Sequence, residues 1–278
     1  MNKDFRLKTS RSNILDVSSY GLENIASAPC LIFVHGFKGF KDWGFFPFLG
    51  NYFSDKGFFV LTFNFSHNGV NSSTSLFSEM DKFAKNTISL EISELNELII
   101  AYNDGYFGEK KSNKVALIGH SRGGAVSLLS SLVNRIPVAY VVWSSVAKLD
   151  RYTERQKNEW RKKGFIEAFN SRTRQMMRMN IDLLDDIENN INGSLNLENS
   201  VKSLNKPLLI IHGEEDLTVP ISEAEQIFSW SDQKITEIFR VPNTGHTFDI
   251  VHPFEGTNKK FDSILDKTNG FLKKCFQV

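Results

Sequence analysis

Ten residues restrict this chain more than any others: Val115-Ala116-Leu117-Ile118-Gly119-His120-Ser121-Arg122-Gly123-Gly124. An apolar run meets a G-x-S-x-G pattern, and a second apolar segment follows from Ala125 to Leu132. This reads as a buried strand, an abrupt turn with serine at its tip, and a helix. Such a turn forces a strained serine backbone and lifts the hydroxyl clear of its neighbours. Glycines two before and two after are needed because side chains there would collide with the turn. The helix then aims its free N–H groups at the serine, where they can receive negative charge. Ser121 is therefore the candidate nucleophile.

The rest of the chain supplies a frame for that turn. Unbroken apolar runs recur at Cys30–Val34, Phe58–Phe63, Val115–Ile118, Pro137–Trp143 and Leu208–Ile211. Runs of this kind fit parallel strands covered on both faces. Helices are expected between them, at about 43–53, 80–102, 222–230 and 259–276, with Leu90, Ile92, Leu95, Leu98 and Ile99 near helical spacing. Strands near 5–8 and 14–18 are expected to form an edge hairpin, and a further strand is expected at 236–241. Alternation of strands and helices predicts an α/β chain with a mostly parallel sheet and helices on both faces. Between residues 148 and 205 the composition changes. Charge is abundant, basic first (Arg151, Arg155, Lys157, Arg161, Lys162, Lys163, Arg172, Arg174, Arg178) and then acidic (Asp182, Asp185, Asp186, Glu188). The reading is a core of 1–147 and 206–278 carrying a helical cap insertion at 148–205, with helices near 152–170 and 180–190.

A serine hydroxyl needs a base, and the base needs an orienting acid. In an open α/β sheet these groups sit on loops at the carboxyl ends of strands. Two loops after Ser121 qualify. One carries His212-Gly213-Glu214-Glu215-Asp216, the other Thr244-Gly245-His246-Thr247-Phe248. Asp216 is the candidate acid, with Glu214 and Glu215 as competitors. His246 is the candidate base, with His252 as its competitor. His120 is expected to pack beneath the turn, and His212 to order its own loop. An oxyanion needs two N–H donors. Arg122, directly after the serine, offers one through its backbone. Phe37, in the loop His35-Gly36-Phe37-Lys38-Gly39, is the candidate for the other.

These blocks together resemble the α/β-hydrolase superfamily. The likeness is to the branch holding dienelactone-hydrolase-like proteins, serine aminopeptidase-like lipases and cinnamoyl or feruloyl esterases. It covers most of 29–147 and 206–275 and leaves the insertion outside. It implies an α/β-hydrolase fold and a His-Gly-Phe loop whose Phe37 N–H faces the oxyanion. A serine where true dienelactone hydrolases carry cysteine disfavours that reaction. The resulting expectation is a serine hydrolase that cleaves carboxylic esters through Ser121, His246, Asp216 and an acyl-enzyme. The alternatives are a peptidase or amidase with the same triad, or a non-catalytic binding protein on this scaffold. No metal and no cofactor is expected. The insertion is expected to cover the site. Trp160, Phe165 and Phe169, with Trp143 and Ser144 at a strand end, are candidates for a substrate pocket.

Bulk properties narrow the partners. At 41% hydrophobic and 23% charged the chain can bury a substantial core. A net charge of +1 argues against nucleic acid. Two cysteines, Cys30 and Cys275, form no disulfide framework. No run approaches 18 apolar residues and no signal-peptide pattern is seen, so a cytoplasmic protein without a membrane partner is expected. The expected partner is a small-molecule ester; oligomeric state stays open.

Overall fold

The computed structural model describes residues 2–71, 76–109, 112, 114–171 and 173–277. The core is an eight-stranded sheet. Its strands are β1 (Lys3–Lys8), β2 (Ile14–Tyr20), β3 (Cys30–Val34), β4 (Phe59–Phe63), β7 (Val115–His120), β8 (Pro137–Trp143), β11 (Leu208–Gly213) and β12 (Thr236–Val241). They lie in the order β1-β2-β4-β3-β7-β8-β11-β12. The strands from β4 to β12 pair in parallel, and the β1–β2 hairpin closes one edge antiparallel. A two-residue ladder, β5 (Val70–Asn71) with β6 (Leu76–Phe77), lies outside it. Every residue of β3, β4, β7 and β11 is buried. That is why their sequences are apolar without alternation: both faces are covered.

The helices are α1 (Phe46–Asp55), α2 (Met80–Ala84), α3 (Ile88–Asn103), α4 (Arg122–Ser130), α5 (Glu154–Lys163), α6 (Ile181–Asn190), α7 (Leu197–Lys202), α8 (Ile221–Trp230) and α9 (Lys259–Phe276). The phenylalanines explain much of the packing. Phe45, just before α1, stacks on Phe261 of α9 at 5.5 Å, and Trp143 meets Phe33, Phe45, Phe248 and Phe261 edge-on at 5.9–6.4 Å. α3, α4, α7 and α8 pack in a chain of neighbours. The chain goes from β3 outward to β4, then returns to β7 on the other side of β3. The loops leaving β3 and β7 therefore diverge, and a crevice opens at their carboxyl ends.

Two local expectations change. The helix expected over 80–102 is two helices, broken at Lys85-Asn86-Thr87. Thr87 caps α3 by accepting the Leu90 N–H at 3.1 Å, and the Asn86 side chain is drawn to Glu91 at 2.7 Å. The segment 148–205, expected to be helical, is not wholly so. α5 stops at Gly164, whose φ of 76° reverses the chain. Then β9 (Phe165–Asn170) and β10 (Gln175–Asn180) form an antiparallel hairpin. Met177 and Met179 point inward and Met176 and Arg178 outward, a period of two. Of the basic run, Arg172 lies outside the described residues. α7 packs on α4, where Ser200 Oγ donates to the Leu128 carbonyl at 2.5 Å, so this part of the insertion joins the main body. Among the described residues, no helix is long and apolar enough to cross a membrane.

Candidate active site

Ser121 stands between β7 and α4 with φ 57° and ψ −124°, a backbone that an L-residue adopts only under strain. Its surroundings impose this. A Cβ on Gly119 would meet the Gly123 carbonyl oxygen at 2.4 Å, and one on Gly123 would meet the Val34 oxygen at 2.2 Å. Only glycine lets helix, strand and β3 loop close on one another. The Ser121 N–H is anchored to the Trp143 carbonyl at 2.9 Å.

The loop after β3 runs against this turn. A Cβ on Gly36 would fall 2.8 Å from Ser121 Cβ and 3.4 Å from the Arg122 nitrogen. Phe37 follows Gly36 directly. The Phe37 and Arg122 side chains also meet: the Arg122 guanidinium carbon lies 4.7 Å from the centre of the Phe37 ring. Arg122 Nη2 donates to buried Glu91 on α3 at 2.5 Å. Burial pushes the Glu91 carboxyl up, against the pull of Arg122 and Asn86.

The acid and histidine loops converge on the same place. His246 Nδ1–H donates to Asp216 Oδ2 at 2.7 Å. The other oxygen of Asp216 accepts the N–H groups of Thr218 and Val219, each at 2.9 Å. His212 Nε2 lies 3.3 Å from Oδ2 and 2.8 Å from the Val219 carbonyl. Burial alone would raise this carboxyl. Hydrogen bonds from His212, His246 and the Val219 amide outweigh it and hold Asp216 well below the usual carboxylate range. Glu214 and Glu215 are exposed, and His252 instead accepts the Gly44 N–H at 3.0 Å through Nδ1. His120 donates from Nε2 to the His246 carbonyl at 2.9 Å, which fixes the histidine loop beneath the turn. Burial, followed by the neighbouring His246, pushes His120 down to about 3, so it stays neutral.

Two cavities open at Ser121. The larger, about 540 Å³, is lined by His120, His246, Trp43 and Ile250 among others. The smaller, about 150 Å³, runs between α3, α6 and the loop after β8. Phe37, Ser121 and Thr218 line both. A cavity of about 630 Å³ lies elsewhere, beside the β1–β2 hairpin, and includes none of these groups.

The structure thus gathers Ser121, Asp216, His246, Phe37 and Arg122. It places the five expected pocket residues elsewhere. Trp143 is a core residue that supports the His246 loop through Phe248. Ser144 is fully buried. Trp160 is fully buried, with its ring against Tyr152 at 4.9 Å. Phe165 lies under the Arg178 guanidinium at 3.8 Å, and Phe169 is exposed on the hairpin. In their place Ile88, Leu183 and Ile187 face the smaller cavity. The last two sit one helical turn apart on α6, a spacing visible in the sequence.

Comparison with known proteins places this geometry. The model of the prolyl oligopeptidase family matches residues 103–278, more than half of the chain. The chain belongs to the prolyl oligopeptidase family. This family member is 26% identical, over 291 aligned residues, to a protein of Mycoplasma genitalium named as an esterase/lipase, with 96% of this chain and 99% of that protein covered. Among solved structures it is similar to Est1E from Butyrivibrio proteoclasticus (15% identity, TM-score 0.70, 99% of both chains). It is also similar to the α/β hydrolase GrgF from a Penicillium species (15% identity, TM-score 0.73, 100% of both). At that identity the structures establish the fold alone: this family member has the α/β-hydrolase fold.

Proposed function

We propose that this protein is a serine hydrolase that cleaves carboxylic esters. The observation that carries the reading is the Asp216–His246 hydrogen bond at 2.7 Å in a cleft that Ser121 also lines. With Nδ1–H given to an ionised carboxylate, His246 keeps its Nε2 lone pair as a base. Ser121 Oγ attacks the ester carbonyl carbon while Nε2 takes its proton. The carbonyl oxygen becomes an oxyanion received by the Phe37 and Arg122 N–H groups. Among the described residues neither amide donates to another acceptor. The C–O bond to the alcohol then breaks, and the imidazolium returns the proton to the leaving oxygen. Water, deprotonated by His246, attacks the acyl-enzyme and releases the acid with Ser121 restored.

The naming of the Mycoplasma relative as an esterase/lipase points the same way. Family membership favours a second reading, an amidase or peptidase with the same groups. An amine leaves only when protonated, so amides demand more of His246 than esters do. Replacing Ser121 with Ala is expected to lower p-nitrophenyl ester turnover by roughly a thousandfold or more, with the circular dichroism spectrum retained. Unchanged turnover removes the assignment. Faster cleavage of a p-nitroanilide than of the matching ester favours the second reading. Failure of a fluorophosphonate to label Ser121 favours a non-catalytic scaffold.

A further inference from the structure

The tetrahedral intermediate expected at Ser121 has four substituents, and the site distributes them. Ser121 Oγ is one. The oxyanion faces the Phe37 and Arg122 amides. The alcohol oxygen must receive a proton from His246, so it lies on the side that His246 lines. That side is the cavity of about 540 Å³. The acyl group is left with the cavity of about 150 Å³, which His246 does not line. Resting on the esterase reading above, we propose that this smaller cavity is the acyl subsite. The protein then selects esters of short acids with bulky alcohols.

Size sets the limit. A cavity of about 150 Å³ takes roughly one benzene molecule, which corresponds to an acyl chain of about four to six carbons. Its walls are Ile88, Val146, Leu149, Leu183, Ile187 and Val219. Leu183 and Ile187 come from α6 and are 4% and 2% exposed, so that wall is closed to solvent. It is also braced. Asp186, between them on α6, accepts the Ser89 N–H at 3.0 Å, and Ser89 adjoins Ile88 at the start of α3. Two helices from different parts of the chain are thereby held across the pocket.

The lining includes three cations, Arg122, Lys148 and Arg151. Two of them are already neutralised, Arg122 by Glu91 at 2.5 Å and Arg151 by Glu223 at 2.8 Å. The third, Lys148, is exposed to solvent, so the apolar walls decide the class of acid, and an uncharged acyl chain fits them best.

The test holds the leaving group constant and varies the acid: kcat/KM for p-nitrophenyl acetate, butyrate and octanoate. Butyrate is expected to exceed octanoate by tenfold or more, since each misplaced methylene in an apolar pocket is worth roughly tenfold or more. Ile187→Ala enlarges the pocket and is expected to raise the octanoate-to-butyrate ratio about tenfold. Ile187→Phe fills it and is expected to lower the butyrate-to-acetate ratio. Loss of folding moves both ratios the same way or not at all, so opposite responses are specific to the pocket. An octanoate rate equal to butyrate in the wild type, or ratios that neither variant moves, overturns the subsite while leaving the esterase reading intact. No turnover of any ester, with Ser121 unlabelled by a fluorophosphonate, overturns both.

Discussion

On the proposed mechanism Arg122 carries two separate tasks in one residue. Its position after Ser121, read directly from the sequence, is the ground for proposing its backbone N–H as an oxyanion donor. The place of its side chain could not be read there. The guanidinium covers the ring of Phe37, the other proposed donor, and is held there by Glu91. Cation and ring link the two loops that must present their amides to one oxygen. The linkage brings together residues 37, 91 and 122, and no local pattern reports such a contact. Arg122→Met removes the charge and keeps an unbranched apolar side chain. On the proposed mechanism it is expected to lower kcat for p-nitrophenyl acetate about tenfold with little change in KM, because the amides bear charge only in the transition state. An equal loss expressed wholly in KM counts against the clamp. Glu91→Ala leaves the guanidinium buried without its partner. It is expected to cost about 3 kcal/mol or more in urea unfolding, and a loss below about 1 kcal/mol would show the pair to be expendable.

Elements were readable where one local rule dominated. β3, β7 and β11 are continuous apolar runs because helices cover both of their faces, and no other element class of that length reads so. The break before α3 was also written locally. Thr87 stands ahead of Ile88 with Glu91 in the first turn, a start signal inside a stretch of otherwise helical spacing. The β9–β10 hairpin was harder to read. Gly164 and the alternation of Met176, Met177, Arg178 and Met179 marked it, but the many charges around them resemble a solvated helix. The place of α6 over the pocket was not readable at all, since it depends on Asp186 meeting Ser89 across 97 residues. That contact puts a carboxylate at the N-terminus of α3, where free N–H groups favour negative charge. Asp186→Ala is expected to weaken the local structure by about 1 kcal/mol. Amide hydrogen exchange of residues 181–190 and of the first turn of α3 then speeds up severalfold. Exchange identical to the wild type would show that α6 is held by packing alone.

At the scale of the whole molecule, the site exists because strand order reverses at β3. The reversal draws the loops after β3 and β7 apart, and the loops after β11 and β12 bring Asp216 and His246 to the same edge. Ordered positions in the sequence were enough to foresee that convergence. They also placed His120 beneath the turn, but not His35, which joins it in a layer of buried histidines. His35 uses Nδ1–H on the Gly36 carbonyl at 3.0 Å and accepts the Phe65 N–H at Nε2, while His120 supports the His246 loop. Burial, the main cause for each, lowers His35 to about 4 and His120 to about 3. Both are neutral in the folded protein, whereas in the unfolded chain each takes up a proton below about pH 6.5. Stability from these groups is therefore complete above about pH 6.5 and is lost as pH falls toward 4, by up to about 1.4 kcal/mol per pH unit for each histidine. Asp216 adds to the loss only below the ordinary aspartate range, because its carboxyl is lowered in the fold. Each ring is expected to add up to about one proton to the slope of the urea midpoint between pH 7 and pH 4.5, with lowered His67 adding to it and the raised carboxyls of Glu91 and Glu94 opposing it. In His120→Asn the slope is expected to drop by up to about one proton, and a slope that this substitution leaves unchanged would mean that the His120 ring is not held neutral by the fold.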